Sequence, residues 1–348
     1  MLIINFSASE FHYRSFLGGL TALIAVAAFV ALLSGSSSTG LHSFIQWLQG
    51  EAQASHHATI LFELRLPRIL LALFSGALLA VSGAAMQGLF KNPLADPSLI
   101  GVTAGASLGG ASIIFFSIQL NFFHSFFSPT LLVAIGACIG AALCVGFVYR
   151  MARSSRGTSV ATMLLAGIAI TAFAGALNSL FEFFSDDQTL RRLSLWRMGS
   201  LDSANMVKTL IALTALVFSY IVLHRQRFAL NAFLLGESEA RHLGINVHRS
   251  QTIIVLCVAF SIGISVALTG AIAFVGLVVP HAMRLLVGPN HRFLLPAAAL
   301  GGALLLVVAD TLARTLFAPA ELPTGLITAL AGAPFFISLL RSRFNFGI

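Results

Sequence analysis

Charge is scarce in this chain, so the places where it gathers are the places where chemistry could happen. Of 348 residues, 9% are charged and 57% are hydrophobic. Three gatherings stand out. Arg65-Leu-Pro-Arg68 sets two guanidinium groups three residues apart around a proline, and Arg314 follows Asp310 by one helical turn. Guanidinium groups are suited to gripping carboxylates. Here the carboxylate could belong to a docking partner or, within the chain, to Asp310; resting against lipid headgroups is a third use. Next, Gly236-Glu237-Ser-Glu239-Ala240-Arg241-His-Leu243-Gly244 reads as a short capped helix, with acids at its start, bases at its end and glycine at its stop. Leu234, Leu235, Ala240 and Leu243 give it an apolar side, and such a helix is stiff enough to transmit a push. Last, Lys91-Asn92-Pro93-Leu94-Ala-Asp96-Pro97 packs two prolines and two opposite charges into one turn.

Other chemistries are poorly served. There is no GxxxxGK[ST] loop, so any nucleotide energy must come from a partner chain. His56-His57 is an adjacent pair and the other histidines are scattered, so no metal site is expected. Cys138, Cys144 and Cys257 all lie inside apolar runs and read as small core residues. The basic excess forms no patch on a soluble face, which excludes nucleic acid as a partner. Glu182 and Asp310 both fall near span ends. The middle of the membrane is almost free of charge, which argues against a secondary transporter driven by an ion gradient. An integral enzyme would need a buried carboxylate or histidine cluster, and none is evident.

The elements that must hold these groups are membrane helices. Mean hydropathy is +0.93, and a helix needs roughly 20 apolar residues to cross the hydrocarbon. About ten spans are expected, near 17–34, 66–88, 97–117, 129–150, 158–183, 206–223, 250–269, 271–287, 293–313 and 322–340. The chain is thus an all-α polytopic membrane protein of one domain, 1–348, with halves of about 1–200 and 201–348. The first apolar run reads as a retained span, not a cleaved signal. Of the 20 Lys and Arg residues, 13 fall on the loops of one side and 7 on the other, which places both termini in the cytoplasm. Ala80-Val-Ser-Gly83-Ala84 matches Ala267-Leu-Thr-Gly270-Ala271 in type, and a proline follows each glycine by ten residues, Pro93 and Pro280. With about five spans per half, the copies would be inverted in the membrane, a transporter signature. Gly101, Gly105 and Gly109 recur every fourth residue and predict a close helix contact.

Three long blocks, Arg65 to Gly110, Gly270 to Gly302 and Leu322 to Arg341, resemble the signatures of the FecCD-like permeases of type II ABC importers. These carry iron-siderophores, haem and vitamin B12. The resemblance implies a ten-span permease subunit in a bacterial inner membrane, forming a homodimer with a substrate path along its axis. It implies two cytoplasmic ATPase subunits, which bind ATP and Mg, and a periplasmic substrate-binding protein. The permease itself would be no enzyme and would bind no cofactor. By resemblance, Arg65, Arg68 and Arg314 are the docking contacts for the binding protein. Asn92 and Leu94, with Thr158 and Ser159, match residues of the cytoplasmic gate. The segment of about 230–248 matches the ATPase-coupling helix through Gly236, Glu237, Glu239, Ala240, Arg241, Leu243 and Gly244. The connection from Phe181 to Met206 mixes aromatics with Asp186, Asp187, Arg191, Arg192 and Arg197, and resembles that of haem permeases. An iron chelate, haem or a ferric siderophore, is therefore the expected cargo, with vitamin B12 as the alternative.

Overall fold

The computed structural model describes residues 10–35, 59–116, 128–154, 157–158 and 160–344. Thirteen α-helices run along them. In chain order they are α1 (Glu10–Leu33), α2 (Leu66–Leu89), α3 (Val102–Phe115), α4 (Pro129–Ala152), α5 (Val160–Phe184), α6 (Asp187–Arg197) and α7 (Met206–Arg225). There follow α8 (Arg227–Leu235), α9 (Glu237–His242), α10 (Val247–Thr269), α11 (Val275–Val287), α12 (His291–Thr315) and α13 (Thr324–Phe344). A π turn, Ile60–Arg65, leads into α2, and a 3-10 turn, Pro97–Ile100, precedes α3. One ladder of two-residue strands, Arg153–Ser154 with Gly157–Thr158, joins α4 to α5.

Seven helices are long and apolar enough to cross a membrane, and three shorter apolar ones, in α3, α11 and α13, complete the ten expected spans. α3 and α11 are short for local reasons. Asp96 accepts from Ser98 N at 2.7 Å and caps the 3-10 turn, with Pro97 at its start and Gly101 in the left-handed region (φ 75°) at its end. α10 stops at Gly270 (φ 70°), and α11 begins only after Phe274 (φ 67°). Side-chain caps recur where the polar turns lie: Asn205, Asn246 and Asn290 each accept from a backbone N–H in the first turn of α7, α10 and α12. Each such cap is worth about 1 kcal/mol.

Hydrogen bonds between helix ends fix the directions. Tyr13 donates to Phe293 O at 3.0 Å, so the start of α1 meets the start of α12, while Arg314 near the end of α12 reaches Ala31 O near the end of α1 at 3.1 Å. At that second end, called here the arginine end, Thr209 of α7 meets Pro67 of α2 at 3.1 Å, and Ser200 N meets Thr269 O of α10 at 2.8 Å. At the opposite end, Tyr149 of α4 meets Thr252 of α10 at 2.7 Å. α2 therefore runs away from the arginine end and α10 runs toward it. Each is followed by a break, a short helix and two long ones, so the element order repeats with inverted direction. The described starts of α1 and ends of α13 both lie at the end opposite the arginines. Although their sequences echo one another, Gly83 and Gly270 are not equivalent in place: Gly83 lies inside α2, whereas Gly270 stops α10.

α2 is the central post. Most of α2 is buried and almost all of α1 is at the surface, so one is core and the other peripheral. Small residues let the central helices touch. Gly83 of α2 faces the carbonyl of Gly276 in α11, leaving no room for a Cβ, and Gly105 and Gly109 of α3 lie against Gly140 and Gly136 of α4. Packing this tight replaces the missing hydrophobic drive between helices in lipid. On the other side of α4, Leu131, Ile135, Ile139 and Leu143 form an exposed row at every fourth residue, a face for lipid. Gly83→Val is expected to cost at least ~1–3 kcal/mol by overpacking, whereas Gly146→Ala, with open space at its Cβ, should be neutral. Thermal unfolding of the detergent-purified variants checks both.

Candidate functional site

The three arginines singled out in the sequence come together at the arginine end, and they come together inward. Arg65, Arg68 and Arg314 are 5%, 8% and 3% exposed, and Asp310 is 1% exposed. Asp310 sits at the centre. Its Oδ1 and Oδ2 accept from Arg68 Nε at 3.0 and 3.1 Å, Oδ2 accepts from Arg314 Nε at 3.1 Å, and Oδ1 accepts from Thr324 Oγ1 at 3.0 Å. Arg68 Nη1 donates to Glu321 Oε2 at 2.7 Å. The remaining positive charge is met by the end of α1: Arg314 donates to Ser34 O and Ala31 O at 3.1 Å each, and Arg65 donates to Leu32 O at 2.8 Å. These carbonyls have no helical partner and carry the negative end of the helix dipole. The cage thus ties α1, α2, α12 and the first residue of α13 to one another. The internal Asp310–Arg314 pair that the spacing allowed is present.

The turn after α2 lies at the opposite end. Asn92 is exposed and its Oδ1 accepts from Leu94 N at 2.9 Å, while Leu94 is half-buried. This is an Asx turn, in which a side chain replaces a backbone bond. Lys91 takes a positive φ of 52° to start it. Asp96 caps the 3-10 turn Pro97–Ile100 and not α3 itself, which begins after Gly101. Thr158 is placed by its backbone, paired with Arg153 in the short ladder; Ser159 lies outside the described residues.

α9, Glu237–His242, is the short capped helix expected within 230–248, and α8 precedes it as a separate helix. Gly236 opens it at φ 138° and Gly244 closes it at φ 80°. Gly244 N reaches Arg241 O at 2.9 Å and Ile245 N reaches Ala240 O at 3.0 Å, the paired bonds of a Schellman stop. Glu237 accepts from Gln251 of α10 at 2.9 Å, and Ala240 is fully buried. Those two contacts fix α9 to α10, while Glu239, Arg241, Leu243 and Gly244 remain exposed.

Between α3 and α5 lies a groove of about 600 Å³. Ser98, Thr103, Ser107, Thr171, Asn178 and Arg197 set polar groups into a wall that is otherwise apolar, with Ala104, Ile168 and Ala172. Asn178 is 4% exposed, and its Oδ1 has no hydrogen-bond partner among the described residues. Arg197 pairs with Glu182. A smaller cavity of about 240 Å³ adjoins it, shares Ser98, Thr103 and Ala271, and brings Asp96 and Pro97 beside the Ala271–Phe274 break. Non-helical backbone is tolerated at membrane depth where it lines such a space.

Several parts were not found from the sequence. Glu321 and Thr324 join the cage from a loop and a helix start that are close only in space. α6 lies within the Phe181–Met206 connection, where no helix was expected from the sequence, although Asp186-Asp187 ahead of Arg191-Arg192 has the charge order of one. A hydrogen bond from Thr189 holds the Asp186 carboxyl below its usual range.

An α-helical membrane bundle whose second half repeats the first with inverted direction has the architecture of a transport subunit, and its similarity to known proteins makes it the permease of an ABC importer. The chain belongs to the FecCD transport family, which matches residues 23–342. It is 44% identical to the hemin transport system permease protein HmuU of Yersinia pestis over 331 residues, 95% of this chain and 96% of that one. It is 44% identical to the vitamin B12 import system permease protein BtuC of Vibrio cholerae over 296 residues, 84% of this chain and 86% of that one. It also resembles the solved structure of an inward-facing conformation of a metal-chelate type ABC transporter, with a TM-score of 0.80 and 33% identity over 94% of this chain and 99% of that one.

Removing the cage anion should be costly. Asp310→Ala strands buried guanidinium groups and is expected to lose about 3–5 kcal/mol. Glu321→Gln, at a side chain 33% exposed, should lose no more than about 1 kcal/mol. Thermal unfolding in one detergent compares the two.

Proposed function

We propose that the chain moves an iron chelate, haem foremost, from periplasm to cytoplasm as the membrane half of an ATP-driven importer. The observation that carries this choice of cargo is the likeness to the hemin permease over nearly the full length of both chains. Vitamin B12 is the second reading, supported by equal identity over a shorter stretch. The mainly apolar groove with scattered hydroxyl groups suits either cargo, since a wrapped ligand passes a weakly binding wall and a separate binding protein selects it.

In this reading two copies form a homodimer in the inner membrane. α5 exposes Leu165, Ile168 and Phe173 at 69%, 61% and 61%, and α13 exposes Leu330 and Ile337 at 64% and 65%. Those apolar surfaces would meet the mate or lipid and let the two grooves face each other. The arginine end is periplasmic and the termini are cytoplasmic, as the basic-residue count favours. Arg65, Arg68 and Arg314 act in docking the binding protein by holding the outer ends of α1, α2 and α12 in register; a direct grip on its carboxylates would require the Asp310 cage to open. Asn92 and Leu94, with Thr158 and Ser159, close the cytoplasmic end. Two ATPase subunits, loaded with ATP and Mg, seat α9, with Gly236, Glu237, Glu239, Ala240, Arg241, Leu243 and Gly244 as the coupling segment.

Proteoliposomes with the partner ATPase and binding protein should take up haem in an ATP-dependent, vanadate-sensitive manner, and prefer it to cobalamin. Preference for cobalamin would select the second reading, and uptake driven by an ion gradient without ATP would reject both. Gly244→Val forces a branched residue into the left-handed region, at a cost of about 1–2 kcal/mol. It should leave ATP hydrolysis in place while lowering uptake per ATP.

A further inference from the structure

A small pocket at the end opposite the arginine end is lined by four basic side chains, Arg14, His224, Arg227 and Arg292, and by no Asp or Glu. It measures about 260 Å³, and Leu17 and Pro296 are among its apolar walls. α1 supplies Arg14 and Leu17, the last turn of α7 supplies His224, α8 opens with Arg227, and the start of α12 supplies Arg292 and Pro296. The bond from Tyr13 to Phe293 O pins α1 to α12 at this place. Arg227 donates to His224 Nε2, so that ring nitrogen carries no proton and the charge of the wall is that of three guanidinium groups. Arg14 and Arg227 form no ion pair with a described residue. Like charges gathered around one space repel, and an anion seated among them relieves the repulsion.

The height of the pocket indicates which anion. Its lining comes from the starts of two spans, α1 and α12, and from the end of a third, α7. Where apolar spans end, lipid headgroups begin. The way toward the hydrocarbon is apolar. Seven residues make close to two helical turns, so Thr21 stands on the same side of α1 as Arg14, and Val217 on the same side of α7 as His224. Both are exposed, and the Thr21 hydroxyl is spent on Leu17 O at 2.8 Å. A phosphodiester fits the guanidinium groups, and its acyl chains fit those two flanks. Basic pockets between transmembrane helices on the cytoplasmic side hold such headgroups, and this end is the cytoplasmic one in the reading above.

We propose that this pocket binds the headgroup of an anionic phospholipid, with the phosphodiester between Arg14 and Arg227 and with Arg292 beside them. Bound there, the lipid joins the starts of α1 and α12 to the corner between α7 and α8, from which the chain passes on to α9. Native mass spectrometry of the delipidated full-length chain, titrated with phosphatidylglycerol or with phosphatidylcholine of the same acyl chains, tests this. The first lipid bound should prefer phosphatidylglycerol by about 25-fold, two headgroup–cation contacts of about fivefold each. Arg227→Gln should reduce the preference to about fivefold. Arg150→Gln, at an exposed arginine of the same end that does not line the pocket, should leave it unchanged. Leu17→Trp, which fills the pocket and keeps every basic side chain, should abolish it. Equal affinity for the two lipids, an equal loss in Arg150→Gln, or a preference retained in Leu17→Trp would overturn the proposal. So would displacement of bound phosphatidylglycerol by excess inorganic phosphate, which would make the site one for a free anion.

Discussion

A charge in hydrocarbon must be paired or must reach water. At the arginine end this chain buries three guanidinium groups; Asp310 pairs with Arg68 and Arg314, and Glu321 at the rim pairs with Arg68. The carbonyls at the end of α1 accept further bonds from Arg65 and Arg314. Those bonds explain why so peripheral a helix as α1 is held at all, and why its last turn lies against α12. Asp310 also fixes the first residue of α13 through Thr324. The cage is therefore the point where the ends of four helices are set relative to one another.

From that fixed end, the two halves of the bundle reach inward with breaks in opposite directions. The Asp96–Ser98 turn enters after α2, and the Ala271–Phe274 segment enters after α10, and the two meet beside one cavity. Glycine faces such as Gly83 against Gly276 permit the close approach. The groove begins at this junction and runs between α3 and α5, with hydroxyl groups and the Asn178 amide set into a mainly apolar wall. At the far end, α9 exposes Glu239, Arg241 and Leu243.

Much of this was legible in the sequence because the signals are local. Apolar run length gave the spans. Glu237 to Gly244 is a capped helix whose bonds form within a few residues, and it is present as expected; Asp96-Pro97 also forms a local cap, on a 3-10 turn ahead of α3. The arginine spacing pointed to carboxylate recognition, and Asp310 was named as an internal partner. What escaped was non-local. Nothing in the sequence around Glu321 or Thr324 shows that folding brings them to Asp310, and Asn178 looks like any polar residue in a span. α6 escaped for a different reason: its apolar residues are too few for a span, and its charge order was the only signal.

The account rests on Arg68 and Asp310 acting as one unit, and a double-mutant cycle tests that most directly. Arg68→Met, Asp310→Leu and the double variant would be unfolded in mixed micelles with rising sodium dodecyl sulfate. The expected result is a coupling above about 1 kcal/mol, with the double variant more stable than Asp310→Leu alone, because removing both charges leaves fewer stranded. Losses that add to within about 0.5 kcal/mol would show that the two residues do not depend on each other, and would contradict the cage as the organising feature of this permease.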